Sequence, residues 1–280
     1  MVSHYFNPQV KERSPAAEME YASIEGNDIH TATLVQASSA PPLLIFNGFG
    51  ANLEMLFPLM NTFTGRSVLT FDVPGVGGSS TPLLPLRMRG HADIASKVLD
   101  HFDLEKVDVL GFSWGGFLAQ EFAYRHRERC RRLVLVATSP GSLMVPGMES
   151  VVQLASSPTV LLDFADISKR RNLHERDLDP EEKALLDEYY TLVRPGQSTL
   201  GHFYQAYACL GWTSAHWLHK LTPPTLILAG TRDPLVPIVN ARYMALQIPD
   251  NQLIEIDSGH LFLFLLKEKI VKVIENFLSP

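Results

Sequence analysis

Cysteine is nearly absent from this chain: Cys130 and Cys209 are the only two among its 280 residues. Two cysteines make at most one bridge, so a disulfide-stapled scaffold is excluded, and they do not compose a zinc site. A strong charge of either sign is missing as well. The formal net charge is −6, so nothing favours nucleic acid as a partner. The one basic run, Arg125, Arg127, Arg129, Arg131 and Arg132, is interrupted by Glu128 and is expected to decorate a helix C-terminus, where cations oppose the dipole. Long apolar runs are lacking too. The longest weakly charged stretch, Gly141 to Leu162, is broken by Pro146, Gly147, Glu149 and Pro158, which argues against a membrane span. The first dozen residues lack the basic start and apolar core of a secretory signal, and a cytoplasmic location is expected. The chain carries no internal repeat and no low-complexity tract.

What is present is enough apolar material for a large core. Hydrophobic residues make up 46% and charged residues 19%, which suits a globular enzyme. This length fits one large α/β domain or two small ones. Short apolar runs at Leu43–Phe46, Val68–Phe71, Val107–Leu110, Leu133–Ala137, Thr225–Ala229 and Leu253–Ile256 read as strands buried on both faces. Helical patterns over Ala92–Phe102, Gly115–Arg127 and Ile270–Leu278 lie between and after them. That alternation predicts a mostly parallel sheet flanked by helices, and residues 20–36 can add an antiparallel pair at one edge. The alternation lapses from Ser139 to Pro223. This gap has an apolar half, Gly141–Phe164, and a densely charged half, Asp166–Arg194. The latter contains Asp179-Pro180-Glu181-Glu182, a helix start with cap, N1 proline and acidic first turn. The gap is read as a mainly helical cap inserted after the sixth strand, giving a core of residues 1–138 and 224–280 and a cap of residues 139–223.

The chemistry is concentrated in Gly111-Phe112-Ser113-Trp114-Gly115-Gly116. A Gly-x-Ser-x-Gly between a strand and a helix makes a turn so sharp that the serine is strained and its hydroxyl stands clear of the sheet. A side chain at Gly111 or Gly115 would collide with neighbouring backbone. The Trp114 N–H falls at a helix N-terminus, facing a developing oxyanion. A serine needs a base beside it, and in such a fold the acid and then the histidine follow from loops after later strands. Thr225–Ala229 runs into Gly230-Thr231-Arg232-Asp233-Pro234, which nominates Asp233 as the orienting acid. Leu253–Ile256 runs into Asp257-Ser258-Gly259-His260, which nominates His260 as the base. Thr138-Ser139-Pro140, after the preceding core strand, offers no carboxylate, and Asp257 is too close in sequence to orient the ring. His91 and His101 are expected to flank a helix and His126 to close one. His216 and His219 form a His-x-x-His without an evident third ligand.

A second oxyanion donor is expected from the loop after the first core strand, Asn47-Gly48-Phe49-Gly50-Ala51-Asn52, where two glycines let backbone approach a substrate carbonyl. The Phe49 N–H is the candidate, paired with that of Trp114. Asp72-Val73-Pro74-Gly75-Val76-Gly77-Gly78-Ser79-Ser80 has the look of a phosphate loop but lacks its Gly-Lys-Ser/Thr ending. It reads as a structural turn whose Asp72 satisfies local backbone donors.

With these residues in place, the chain resembles the α/β-hydrolases. The match is closer still to intracellular depolymerases of medium-chain-length polyhydroxyalkanoates. It is carried by Leu43–Glu54, Phe71–Pro82, Ser113-Trp114-Gly115-Gly116, Leu210–Lys220 and Gly259-His260-Leu261-Phe262-Leu263, with Asn47 and the block around His216-Trp217 its more specific parts. It covers roughly residues 40–160 and 196–265, and the charged stretch from Asp166 to Arg194 departs from it. The resemblance implies a triad of Ser113, Asp233 and His260. It also implies a polyester substrate of 3-hydroxy acids with apolar side chains, stored as granules whose hydrophobic surface is a candidate partner. No metal or organic cofactor is expected. Two other readings stand beside it: a carboxylesterase or lipase of small or medium-chain esters, and a non-catalytic granule- or partner-binding protein of the same fold.

Overall fold

A computed structural model describes residues 17–147, 178–194 and 198–279. Eight strands, β1 (Glu18–Ile24), β2 (Asn27–Leu34), β3 (Leu43–Phe46), β4 (Val68–Phe71), β5 (Val107–Phe112), β6 (Cys130–Val136), β7 (Thr225–Gly230) and β8 (Asn251–Ile256), form one sheet of order β1-β2-β4-β3-β5-β6-β7-β8. Strands β3 to β8 run parallel to one another, and β1 and β2 are an antiparallel pair at the edge, β2 also pairing antiparallel with β4. The mostly parallel sheet flanked by helices is as expected.

The continuous apolar strands face two cores. Leu44, Phe46, Val107, Val109, Leu133, Leu135, Ile227 and Ala229 join one core with the helices Met88–His101, Trp114–Arg125 and Ile238–Gln247. Their alternate neighbours Leu43, Ile45, Leu110, Phe112, Val134, Val136, Leu226 and Leu228 join the other with the helix Lys267–Leu278. Successive strand residues point to opposite faces, so a strand covered on both sides is apolar at most of its positions.

The sheet positions the site through its switch point. β3 lies between β4 and β5, so the chain leaves β3 in one direction and returns on its other side. Ligand crevices form outside the carboxyl ends of strands at such a point. Phe46 is in register with Gly111, which sets the loop after β3 beside the turn after β5.

Between β6 and β7 the described residues contain the helices Pro180–Thr191 and Thr199–Cys209. The first has the anticipated cap: the Asp179 carboxylate accepts the Glu181 and Glu182 N–H groups at 2.9 Å each, and Glu182 answers from N3. The ends of this insertion are stitched together, Ser142 N–H donating to the Trp212 carbonyl at 2.8 Å and Ser214 N–H to that of Pro140 at 3.0 Å. The return segment packs on the helix Trp114–Arg125. The Trp212 indole donates to Glu121 at 2.8 Å, and Trp217 stacks on Tyr124. The apolar half expected over Gly141–Phe164 lies outside the described residues from 148 onward, as does the charged half before residue 178.

The basic run is not a helix-end decoration. Only Arg125 lies in the last turn of its helix. Arg131 and Arg132 are on β6, because the chain turns tightly after His126 and re-enters the sheet at once. Arg131 and Arg66 instead grip the fully buried Asp108, at 2.6 Å each. His91 lies inside the helix Met88–His101 rather than flanking it. Cys130 and Cys209 are both free thiols.

Candidate active site

Ser113 sits between β5 and the helix Trp114–Arg125 at φ 53° and ψ −116°, a strained backbone for any residue with a Cβ. Hydrogen bonds hold it: its N–H donates to Val136 at 2.9 Å, and its carbonyl accepts from the Gly116 N–H at 2.9 Å and the Thr138 hydroxyl at 2.8 Å. The flanking glycines are required by space. A Cβ at Gly115 would lie 2.1 Å from the Phe46 carbonyl oxygen, and one at Gly111 2.3 Å from that of Gly115.

The structure brings Ser113, His260 and Asp233 into one hydrogen-bonded line. His260 Nε2 is 3.0 Å from Ser113 Oγ, and His260 Nδ1 is 2.7 Å from Asp233 Oδ2. A carboxylate only accepts, so the ring proton belongs on Nδ1, and Nε2 is left to accept the serine hydroxyl. The other oxygen of Asp233 accepts the Leu235 and Val236 N–H groups at 2.9 Å each, which fixes the carboxylate where the chain leaves β7. Asp233 and His260 are each 6% exposed. The His260 ring leans on Phe112, which is itself wedged against Phe264. Asp257 takes no part; it pairs with Arg232 at the exposed surface.

The loop after β3 closes over the same place. Phe49 and Ser113 line one partly open pocket, with Phe112, Tyr189, His260 and Phe264 among its other walls. The amides on either side of Phe49 are engaged. Gly48 N–H donates to Asn47 Oδ1 and Gly50 N–H to Gln205 Oε1, both at 2.8 Å. The Asn47 amide also fastens the far end of the loop at the Asn52 carbonyl. Trp114 is the first residue of its helix, so its N–H is among those without an intrahelical acceptor. The walls are mostly apolar, and Tyr189 comes from the insertion.

Asp72 serves as a structural brace. It accepts the Leu53 and Gly78 N–H groups at 2.7 Å each and faces His30 Nδ1 at 3.0 Å. Burial pushes its carboxyl above the ordinary range, opposed by the His30 contact and the two amides. The roles of His30 and Gln205 went unmarked in the sequence, because each acts across a long stretch of chain and neither sits in a motif; Asn52 was marked only as the end of the loop after β3. Among the described residues no cluster of three His, Cys, Asp or Glu could hold a metal ion. No helix among them is long and apolar enough to cross a membrane.

A strained serine between a parallel strand and a helix, with a histidine and an aspartate from two later strand ends, defines a class. The model of the alpha/beta hydrolase fold family matches residues 41–265, and the chain belongs to that family; it is a hydrolase of this fold. Within the family it is 43% identical over 257 residues to the poly(3-hydroxyalkanoate) depolymerase of Ectopseudomonas oleovorans, covering 91% of this chain and 90% of the relative. It is 29% identical over 225 residues to a 2-hydroxymuconate semialdehyde hydrolase of Pseudomonas sp. strain CF600, covering 73% and 74%. Among solved structures, an esterase from Exiguobacterium antarcticum superposes with a TM-score of 0.77 at 23% identity, covering 92% of this chain and 97% of that one. An enol-lactonase from Burkholderia xenovorans LB400 does so with 0.75 at 20%, covering 93% and 100%. These two speak for the fold alone.

Proposed function

We propose that the chain is a serine ester hydrolase that cleaves poly(3-hydroxyalkanoate) with medium-length apolar side chains through an acyl-enzyme. The line Ser113–His260–Asp233, opening into an apolar pocket, carries this reading. Likeness to the depolymerase of Ectopseudomonas oleovorans over nearly the whole chain supports the substrate class.

In the proposed mechanism His260 Nε2 takes the Ser113 proton as Oγ attacks the ester carbonyl. The N–H groups of Phe49 and Trp114 receive the oxyanion, a contribution worth about 10²–10³ in kcat per donor in comparable enzymes. His260 returns the proton to the departing alcohol, and Asp233 stabilises the imidazolium while it exists. Water then repeats the attack on the acyl-serine. The step needs no metal and no organic cofactor.

The same reading gives residues 139–223 to a cap over the core and sets the enzyme at the surface of polymer granules in the cytoplasm. Exposed apolar side chains support contact with such a surface. Leu200 and Phe203 project from the helix Thr199–Cys209. Leu83 and Leu84 adjoin them, the Tyr204 hydroxyl donating to the Leu83 carbonyl.

The test sets p-nitrophenyl esters from C2 to C16 beside a suspension of medium-side-chain granules, with Ser113→Ala as control. Expected are release of 3-hydroxy acids from granules, a preference for medium acyl chains, and no turnover by Ser113→Ala. Preference for the acetate with intact granules would replace the substrate by small esters. Turnover by Ser113→Ala above a few per cent would remove the nucleophile.

A further inference from the structure

We propose that Gln205 is a positioning residue for the oxyanion hole, an inference that rests on the reading of the Phe49 and Trp114 amides as that hole. Gln205 lies on the helix Thr199–Cys209 of the insertion and is 2% exposed. Its Oε1 accepts the Gly50 N–H at 2.8 Å. Its backbone carbonyl accepts the indole N–H of Trp114 at 3.3 Å. One residue thus holds both segments that carry the two amides, and it does so from outside the sheet that the serine, histidine and aspartate belong to.

The loop needs such a hold. Asn47-Gly48-Phe49-Gly50 has two glycines and little stiffness of its own. Asn47 fixes the amide before Phe49, and Gln205 fixes the amide after it. Catalytic donors act through preorganisation, and displacement by about 1 Å can cost about 10²-fold in rate. The helix that carries Gln205 packs directly on the core. Its Gly201 backbone lies so close to Gly75 that a Cβ there would come within 1.6 Å of the Gly75 carbonyl oxygen. A second tie runs from the end of the same loop: buried Asn52 donates to the Leu192 carbonyl at 2.9 Å and accepts the Arg194 N–H at 3.1 Å. The insertion is therefore a fixed wall of the oxyanion site as well as part of the acyl pocket.

The experiment compares wild type, Gln205→Met and Gln205→Glu. Methionine matches the side chain's length without an acceptor at its tip, and glutamate keeps an oxygen there. Each is assayed for kcat and KM on p-nitrophenyl octanoate, and for inhibition by an alkyl trifluoromethyl ketone against the matching methyl ketone. In the fluorinated adduct a bond forms between Ser113 Oγ and the carbonyl carbon, the serine proton passes to His260, and the carbonyl oxygen becomes an oxyanion. Expected for Gln205→Met is a kcat lower by about 10- to 100-fold, with a similar loss of affinity for the trifluoromethyl ketone. KM stays within about threefold, and the pH midpoint of kcat/KM is unmoved because the His260–Asp233 pair is untouched. Gln205→Glu recovers most of kcat.

Wild-type kcat and ketone selectivity in folded Gln205→Met overturns the proposal, as does a Gln205→Glu protein as slow as Gln205→Met. Should Gln205→Met not fold, Gln205→Glu decides alone: kcat within about tenfold of wild type supports the clamp and a larger loss overturns it. If wild type itself binds the two ketones equally, the Ser113 and oxyanion reading fails, and this proposal falls with it.

Discussion

At the scale of single residues, Ser113 shows how local strain is set by its surroundings. A non-glycine residue at positive φ costs on the order of 1–3 kcal/mol, and three backbone-linked hydrogen bonds keep this one in place. Beside the next residue, Trp114, His91 bears on the pH dependence of stability. Its ring is 1% exposed and packs edge-on against Trp114, and neither ring nitrogen has a partner among the described residues. Burial pushes its pKa down from 6.5 to about 4. In that window the unfolded chain takes up a proton that the folded chain refuses, so stability falls as the pH drops, by about 1.4 kcal/mol per pH unit at most from this one group. Urea unfolding at pH 7 and pH 4.5 is expected to show a smaller acid loss in His91→Leu than in wild type. Equal losses in the two proteins would contradict this account of His91. Ser113, Asp233 and His260 stood out in the sequence because each lies a few residues past the end of a strand-like run, Ser113 within a Gly-x-Ser-x-Gly motif. Gln205 did not, since a glutamine on a helix reads as an ordinary polar face until the fold brings Gly50 and Trp114 to it.

At the scale of elements, strand centres were legible and boundaries less so. Val107–Leu110 extends to Phe112, and the run beginning at Leu133 starts instead at Cys130. The early start of β6 was hidden by Arg131 and Arg132, whose charges break an apolar pattern. Arg131 and Arg66 neutralise the buried Asp108 of β5, and both also donate to the Leu278 carbonyl at the end of the last helix. This cluster ties β5, β6, the turn before β4 and the helix Lys267–Leu278 together. Removing one partner of a buried ion pair strands the others, so Asp108→Ala is expected to lose about 3–5 kcal/mol of stability. A loss below about 1 kcal/mol in denaturant titration would show the cluster to be no stronger than a surface pair. The helix Met88–His101 begins four residues earlier than its pattern suggested, because Arg87 caps it with extended backbone and no side-chain bond for a sequence reading to find.

At the scale of the whole molecule, the carboxyl ends of the strands gather loops from β3, β5, β7 and β8, and the insertion after β6 presses on the first two of them. The parallel sheet and the place of the insertion could be read from alternation and from its lapse. The contacts between insertion and core could not, because they depend on residues far apart in the chain, such as Asn52 with Leu192 and Gly75 with Gly201. The central claim is that this convergence makes Ser113 a nucleophile. It is tested most directly by treating the protein with a fluorophosphonate and mapping the adduct by peptide mass spectrometry. The account predicts near-stoichiometric modification of Ser113 in wild type and almost none in His260→Ala at the same exposure. An unmodified Ser113 in folded wild-type protein, or equal modification with and without the imidazole, would contradict it.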